Sequence, residues 1–89
     1  MIHQEDVKIQ NKLGLHARAA ALFVKTANRF ASQVTVQKEK LQVNGKSILG
    51  VLTLAAALGS KIRIICEGPD SEEALDALKN LVEQKFQEE

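Results

Sequence analysis

The sequence predicts an α+β fold in which a four-stranded antiparallel sheet carries helices on one face and is solvated on the other. Short segments that alternate apolar and polar residues predict the strands, and longer segments with apolar residues three and four apart predict the helices. Together they give the order β-α-β-β-α-β-α. The length of 89 residues suits a single domain, which we expect to span residues 1–89.

The first half of the chain is expected to contain a strand, a long helix and a hairpin. Residues 7–10 alternate as a strand does, and residues 11–14 interrupt the pattern. Residues 17–31 repeat Ala, Val and Phe at the spacing of an amphipathic helix. Residues 33–38 and 40–44 alternate again around a tight turn, which indicates a hairpin.

The second half is expected to contain a short helix, a strand and a long helix. Ser47 precedes an apolar run over residues 48–58 that ends at a glycine, so we expect a helix capped by serine at its start. Residues 61–67 alternate and predict the fourth strand. Asp70 or Ser71 is expected to cap the last helix. Its apolar stripe consists of Ala74, Leu75, Leu78, Leu81, Val82 and Phe86.

Composition and charge argue against several classes of function. A net charge of +1 and only three aromatic residues argue against binding of nucleic acid, whether duplex or single-stranded. Residues 1–66 hold ten of the twelve basic residues, whereas residues 67–89 hold eight of the eleven acidic ones. The basic part favours steering toward an acidic protein surface or an anionic group, and the acidic part is expected to be a solvated helix.

The single cysteine, Cys66, cannot form an intramolecular disulfide, so a cytoplasmic protein is expected. Cys66 falls on the apolar phase of its strand and is predicted to be a buried, inert thiol. The chain has no apolar run long enough for a membrane span, and we expect no membrane insertion.

His16 is the candidate for chemistry, because it lies where a loop becomes the first long helix. At or just before the N-cap, its ring would adjoin the unpaired N–H groups of Ala17 and Arg18. The Arg18 guanidinium can bind a phosphate through two parallel hydrogen bonds. An imidazole is a nucleophile, so these residues favour phosphoryl chemistry. The alternative from spacing alone is a capping histidine beside a surface arginine.

Other sites are less favoured by the sequence. His3 lies in a polar N-terminal segment and is expected to be a mobile surface residue. No second ligand lies at metal-binding spacing from His16, so no metal is expected. A phosphate-binding glycine loop of the Walker or Rossmann type is not present in the sequence, and no cofactor is expected.

The chain contains the motif GLHARAAALFVKTANRF and, some thirty residues after His16, the motif NGKSILGVLTLAA. Together they resemble the HPr family, the histidine-containing phosphocarriers of the sugar phosphotransferase system. The resemblance covers nearly the whole chain and implies an open-faced β-sandwich. It also implies that His16 accepts a phosphoryl group on Nδ1 from phosphorylated enzyme I and passes it to IIA domains of sugar permeases, with Arg18 as its electrostatic partner. The protein would then be a phosphohistidine carrier in a relay rather than a turnover enzyme, and a monomer is expected.

The same resemblance implies roles for three residues around the second motif. Ser47 matches a regulatory serine that an HPr kinase/phosphorylase modifies in some bacteria, and Ile48 and Leu49 match an apolar pair that docks partner proteins. A transcriptional regulator is among the partners that this implies. Independently, residues 48–58 are apolar on nearly every side, more than one buried helix face requires. Simple burial is the alternative for Val51, Leu52 and Leu54.

The chain departs from the family at Ala19, where the family usually has proline in the sequence HARPA. Alanine is the best helix former, so the helix is expected to persist. Three other interpretations of function remain besides sugar transport. The chain could be a regulatory paralogue of the nitrogen type, or a protein interaction module switched by phosphorylation of His16 or Ser47. It could also be an RNA-binding domain, which charge and composition disfavour.

Overall fold

The computed structural model describes residues 1–88, and its elements follow the predicted order. The strands are β1 (Ile2–Lys8), β2 (Gln33–Lys38), β3 (Leu41–Asn44) and β4 (Lys61–Glu67). The helices are α1 (Ala17–Ala27), α2 (Ile48–Thr53) and α3 (Ser71–Glu83), and a short 3-10 turn follows at Lys85–Gln87. No helix within residues 1–88 is long and apolar enough to span a membrane.

The strands form one antiparallel sheet in the order β1-β4-β2-β3, which confirms the predicted fold class. Every second residue of β4 is buried, as the alternation Ile62, Ile64 and Cys66 predicts. These side chains meet Phe23 of α1 and Leu78 of α3 in a single core. The core also includes residues outside the strands and helices, among them Ile9 and Leu15.

The other face of the sheet is polar and solvent-facing, as expected. Asp6 of β1 and Arg63 of β4 stand opposite each other there and pair at 2.8 Å. The hydrogen bond from Arg63 is the main reason why the pKa of the Asp6 carboxyl lies below its usual range. Both groups are partly exposed, so this pair adds little to the stability of the sheet.

The first strand is longer than its alternation predicts. Residues 3–6 are polar, and residues 2–6 are exposed except at His3, yet they pair in register with residues 63–67 of β4. Strand pairing therefore extends β1 where the hydrophobic pattern carries no signal. Ile9 lies just past the strand and is fully buried, with its backbone bonded to Gly59 and Ser60.

Helix α1 ends at Ala27 rather than at residue 31, because other groups compete for the backbone of the last predicted turn. The N–H groups of Ala31 and Ser32 both donate to the Asp70 carboxylate at 2.9 Å. The hydrogen bond from the Ser32 hydroxyl, and then the bonds from these N–H groups, hold the pKa of Asp70 below its usual range. Asp70 occupies the N-cap position of α3, but its side chain does not cap that helix.

Helix α2 is five residues shorter than predicted and ends at Thr53. Ala55 has a φ of +50°, which a continuing helix cannot accommodate. The carbonyl of Leu54 accepts a bond from the Lys38 ammonium at 3.2 Å, and that of Ala56 accepts one from the Leu15 N–H at 2.8 Å. The apolar run after α2 is therefore tied to the loop before α1, where it supports the candidate site.

Helix α3 carries the predicted apolar stripe, and all six of its members are buried. Five of them belong to the helix, whereas Phe86 follows it. The chain leaves α3 at Glu83 and makes a left-handed turn over residues 85–87 that returns Phe86 to the core. This turn directs Glu88 toward the start of α1.

Candidate functional site

His16 occupies the N-cap position of α1, as the sequence predicts. Its backbone is extended, with φ −76° and ψ −179°, and its carbonyl accepts the first helical bond from Ala20 at 2.8 Å. The imidazole makes no capping bond to the helix. Within residues 1–88 the N–H groups of Ala17, Arg18 and Ala19 have no acceptor, so the helix presents unpaired donors beside the ring.

The loop that carries His16 is held by its backbone. Gly14 has a φ of +67°, and a Cβ at this position would lie 2.5 Å from the Ala56 carbonyl oxygen. The next residue, Leu15, is buried and donates to the same oxygen at 2.8 Å. The glycine of the motif is thus required by a close approach of two backbone segments, and this contact fixes where α1 begins.

His16 and Arg18 line one surface depression of about 660 Å³, together with Lys12, Leu13, Gln87 and Glu88. Arg18 is exposed and His16 is half-buried. Lys12, Arg18 and the helix start bring positive charge to one place, which suits an anionic group. No cluster of His, Cys, Asp or Glu in the described chain has the arrangement of a metal site.

Asn11 and Glu88 also belong to the site, and sequence reasoning missed both. The Asn11 amide donates to the Glu88 carboxylate at 3.0 Å, and the other oxygen of that carboxylate is bonded to His16 Nε2. The Asn11 bond and then the His16 bond hold the pKa of Glu88 below its usual range. Glu88 lies 72 residues from His16, so no local pattern indicates this contact.

Ser47 caps α2 as predicted, because its hydroxyl accepts a hydrogen bond from the Gly50 N–H at 3.0 Å. The side chains of Ile48 and Leu49 are 45% and 76% exposed, whereas Val51 and Leu54 are buried. Leu52 is partly buried against the core. This segment therefore has a buried side and an exposed apolar pair. Simple burial, the alternative to a docking surface, explains Val51, Leu52 and Leu54 but leaves Ile48 and Leu49 unexplained.

The prediction for His3 is wrong, and that for Cys66 is confirmed. His3 lies within β1, half-buried, and its Nδ1 is hydrogen-bonded to the hydroxyl of Ser71 at 2.8 Å. It therefore helps join β1 to the start of α3. Cys66 is fully buried, and burial raises the pKa of its thiol to about 11. An inert thiol is the consequence.

Comparisons with known proteins agree with the fold and identify the family. Residues 3–84 match a family model described as the PTS HPr component phosphorylation site. The phosphocarrier protein HPr of Cupriavidus necator is 48% identical over 85 residues, which cover 96% of each chain.

Two solved structures show the same architecture. The crystal structure of HPr-C-His from Thermoanaerobacter tengcongensis has a TM-score of 0.95 and 48% identity, covering 98% of both chains. Crh from Bacillus subtilis, a catabolite repression protein solved as a domain-swapped dimer, has a TM-score of 0.76 and 44% identity. That match covers 96% of this chain and 97% of the Crh chain.

Proposed function

This chain belongs to the HPr family of phosphocarrier proteins of the phosphotransferase system, and on that premise we propose that it carries a phosphoryl group on His16. The observation that supports this most directly is the position of the imidazole. It belongs to the N-cap residue of α1, lies beside three N–H groups that have no acceptor within residues 1–88, and shares a depression with the Arg18 guanidinium. A nucleophile and an anion-binding group are therefore adjacent.

The proposed step is a direct transfer between proteins. An unprotonated nitrogen of the His16 ring attacks phosphorus, the bond to the donor breaks, and the electron pair of that bond stays with the donor. Arg18 and the N–H groups of Ala17 and Arg18 stabilise the dianionic phosphoryl group after it arrives. The reverse sequence passes the group on, so the protein is a carrier and holds the group only between two partners.

We propose phosphorylated enzyme I as the donor and IIA domains of sugar permeases as acceptors, which places the carrier in the cytoplasm. The exposed pair Ile48 and Leu49 supplies an apolar surface for these partners. Ser47, at the edge of this pair, is the proposed regulatory site for an HPr kinase/phosphorylase, with a transcriptional regulator as a further partner. A monomer stays a prediction, since the related Crh was solved as a dimer.

A second candidate function is regulatory. The likeness to Crh favours an interaction module that takes no part in sugar transport. Phosphorylation of Ser47 or His16 would change how such a module binds its partner proteins. Efficient labelling by enzyme I and onward transfer to a IIA domain would argue for the carrier. Labelling of Ser47 alone would argue for the module.

The deciding experiment is incubation with phosphoenolpyruvate and enzyme I, followed by mass measurement of the intact protein. We expect one acid-labile phosphoryl group on the wild type and on His3→Ala, and none on His16→Ala. Full labelling of His16→Ala would contradict the assignment. His3→Ala is a matched control because it removes the other histidine of the chain.

Arg18→Ala tests the electrostatic partner separately. A charge-assisted hydrogen bond to phosphate contributes about 1.5–3 kcal/mol, so transfer should slow by roughly 10-fold to 150-fold while the fold is kept. Quenched-flow labelling with phosphorylated enzyme I measures this rate. A rate equal to that of the wild type would show that Arg18 takes no part.

A further inference from the structure

The side of the His16 ring that faces the chain terminus is occupied by a carboxylate. Nε2 of His16 is hydrogen-bonded to one oxygen of Glu88, and the other oxygen accepts from Nδ2 of Asn11 at 3.0 Å. The side chain of Glu88 is only 9% exposed, against 29% for His16. The contact is therefore a largely enclosed pair beside an open depression.

Two buried groups hold the Glu88 carboxylate in place. Asn11 is fully buried, and its amide also donates to the carbonyl of Gly14 at 2.8 Å, so one side chain links the carboxylate to the loop that carries His16. Phe86, two residues before Glu88, is fully buried in the core. The terminal segment is thus held by the core at Phe86 and by Asn11 at Glu88.

The bond to Glu88 determines which ring nitrogen carries the proton. An ionised carboxylate can only accept, and hydrogen bonds from Asn11 and His16 favour the ionised form of Glu88. Nε2 must then be the donor. In a neutral imidazole the second nitrogen, Nδ1, consequently has a free lone pair, and within residues 1–88 it has no hydrogen-bond partner.

We propose that Glu88, held by Asn11, is a positioning residue that keeps His16 in the Nε2-protonated tautomer and presents Nδ1 as the phosphoryl acceptor. This inference rests on the proposed function. Glu88 does not touch the reacting phosphorus in this arrangement. It acts through the ring, as carboxylates do that orient a histidine from its far nitrogen.

The chemical step needs no proton transfer under this proposal. The Nδ1 lone pair forms the N–P bond, and the bond from phosphorus to the donor nitrogen breaks with its electron pair on the donor. The His16 ring keeps the proton on Nε2 and gains a positive charge, which Glu88 faces. On onward transfer the N–P electron pair returns to Nδ1, and the ring is neutral again with the same tautomer.

Nitrogen-15 NMR of the His16 ring in the unphosphorylated protein tests the proposal without any transfer reaction. In the wild type we expect the shifts of a single Nε2–H tautomer and a downfield Nε2–H proton. Glu88→Ala should remove the downfield resonance and move both nitrogen shifts toward a mixture of tautomers, whereas Glu88→Asp should restore them in part. Glu83→Gln, an exposed acid at the end of α3, is the control and should match the wild type.

The transfer rate provides the second measurement. Loss of a group that orients a metal-binding histidine costs typically 10-fold to 100-fold in activity, and we expect a loss of similar size here. Glu88→Ala should therefore lower the maximal labelling rate by at least about tenfold, with little change in the apparent KM for enzyme I. Wild-type ring shifts in Glu88→Ala would overturn the proposal. Faster transfer in Glu88→Ala would also overturn it, because the carboxylate would then be an obstruction.

The two proposals fail in different ways. If His16 is never labelled, the carrier function fails, yet the ring shifts still report whether Glu88 sets the tautomer. If labelling of His16 is normal and the ring shifts of Glu88→Ala equal those of the wild type, only the positioning role fails.

Discussion

Replacing Gly14 with alanine should destabilise the protein, because both the backbone conformation and the space at this position suit only glycine. Its φ of +67° is left-handed, which costs an L-residue roughly 1–2 kcal/mol. The added Cβ would also lie 2.5 Å from the Ala56 oxygen and 2.9 Å from the Ala57 Cα. These are backbone atoms that cannot rotate away, and such overlap costs roughly 1–3 kcal/mol.

The two contributions together predict a loss of about 2–5 kcal/mol in the free energy of unfolding, a large part of the roughly 5–15 kcal/mol typical of a domain. The control is Gly59→Ala. Gly59 also has a positive φ, +91°, but a Cβ there would lie within 4 Å of no atom in residues 1–88. Gly59→Ala should therefore lower the free energy of unfolding only by the cost of the left-handed backbone conformation, about 1–2 kcal/mol.

Urea denaturation of both variants measures the difference, which isolates the cost of the overlap at Ala56. Thermal melts should show it as well, at roughly 4–8 °C for each kcal/mol in a domain of this size. Equal losses in Gly14→Ala and Gly59→Ala would refute the reasoning, since they would show that the two backbone segments separate at no cost. Slower labelling of His16 should accompany the loss in Gly14→Ala alone.

Three further changes test other parts of the molecule. Ser47→Asp should keep the hydrogen bond that caps α2 at Gly50, so the free energy of unfolding should stay within about 0.5 kcal/mol of the wild-type value. The added charge should nevertheless weaken the apparent affinity for enzyme I. Steady-state kinetics that match the wild type would contradict a switch at Ser47. Ala19→Pro should raise the free energy of unfolding by about 0.4–1 kcal/mol and so raise the melting temperature, because the Ala19 N–H has no acceptor within residues 1–88 that proline would deprive of a bond. A clear fall in the melting temperature would show that the start of α1 does not tolerate proline. Asp70→Asn should lower stability at neutral pH, with a difference from the wild type that shrinks below about pH 4 in urea titrations at several pH values. The folded pKa of Asp70 lies below the ordinary 3.8, so its contribution is present above that value and is lost as the pH falls; a difference independent of pH would contradict this.

The sequence by itself determined the parts of this protein whose cause is local. Apolar residues three or four apart sufficed to predict α1 and α3, because a helix brings such residues to one face whatever it packs against. The Ser47 cap and the N-cap position of His16 could be predicted for the same reason, since each depends on backbone groups within four residues. The resemblance to the HPr family also depends on local sequence, since its two motifs contain His16 and Ser47.

Tertiary structure alone decided the bounds of β1, α1 and α2 and what completes the site. α1 stops at Ala27 because the carboxylate of Asp70 binds the backbone beyond it, and residues 2–6 become a strand because β4 offers a partner edge. Glu88 reaches His16 only because Phe86 returns to the core after α3. Such contacts join residues tens of positions apart, and their energy depends on distances that the folded chain sets rather than on any periodic pattern in the sequence.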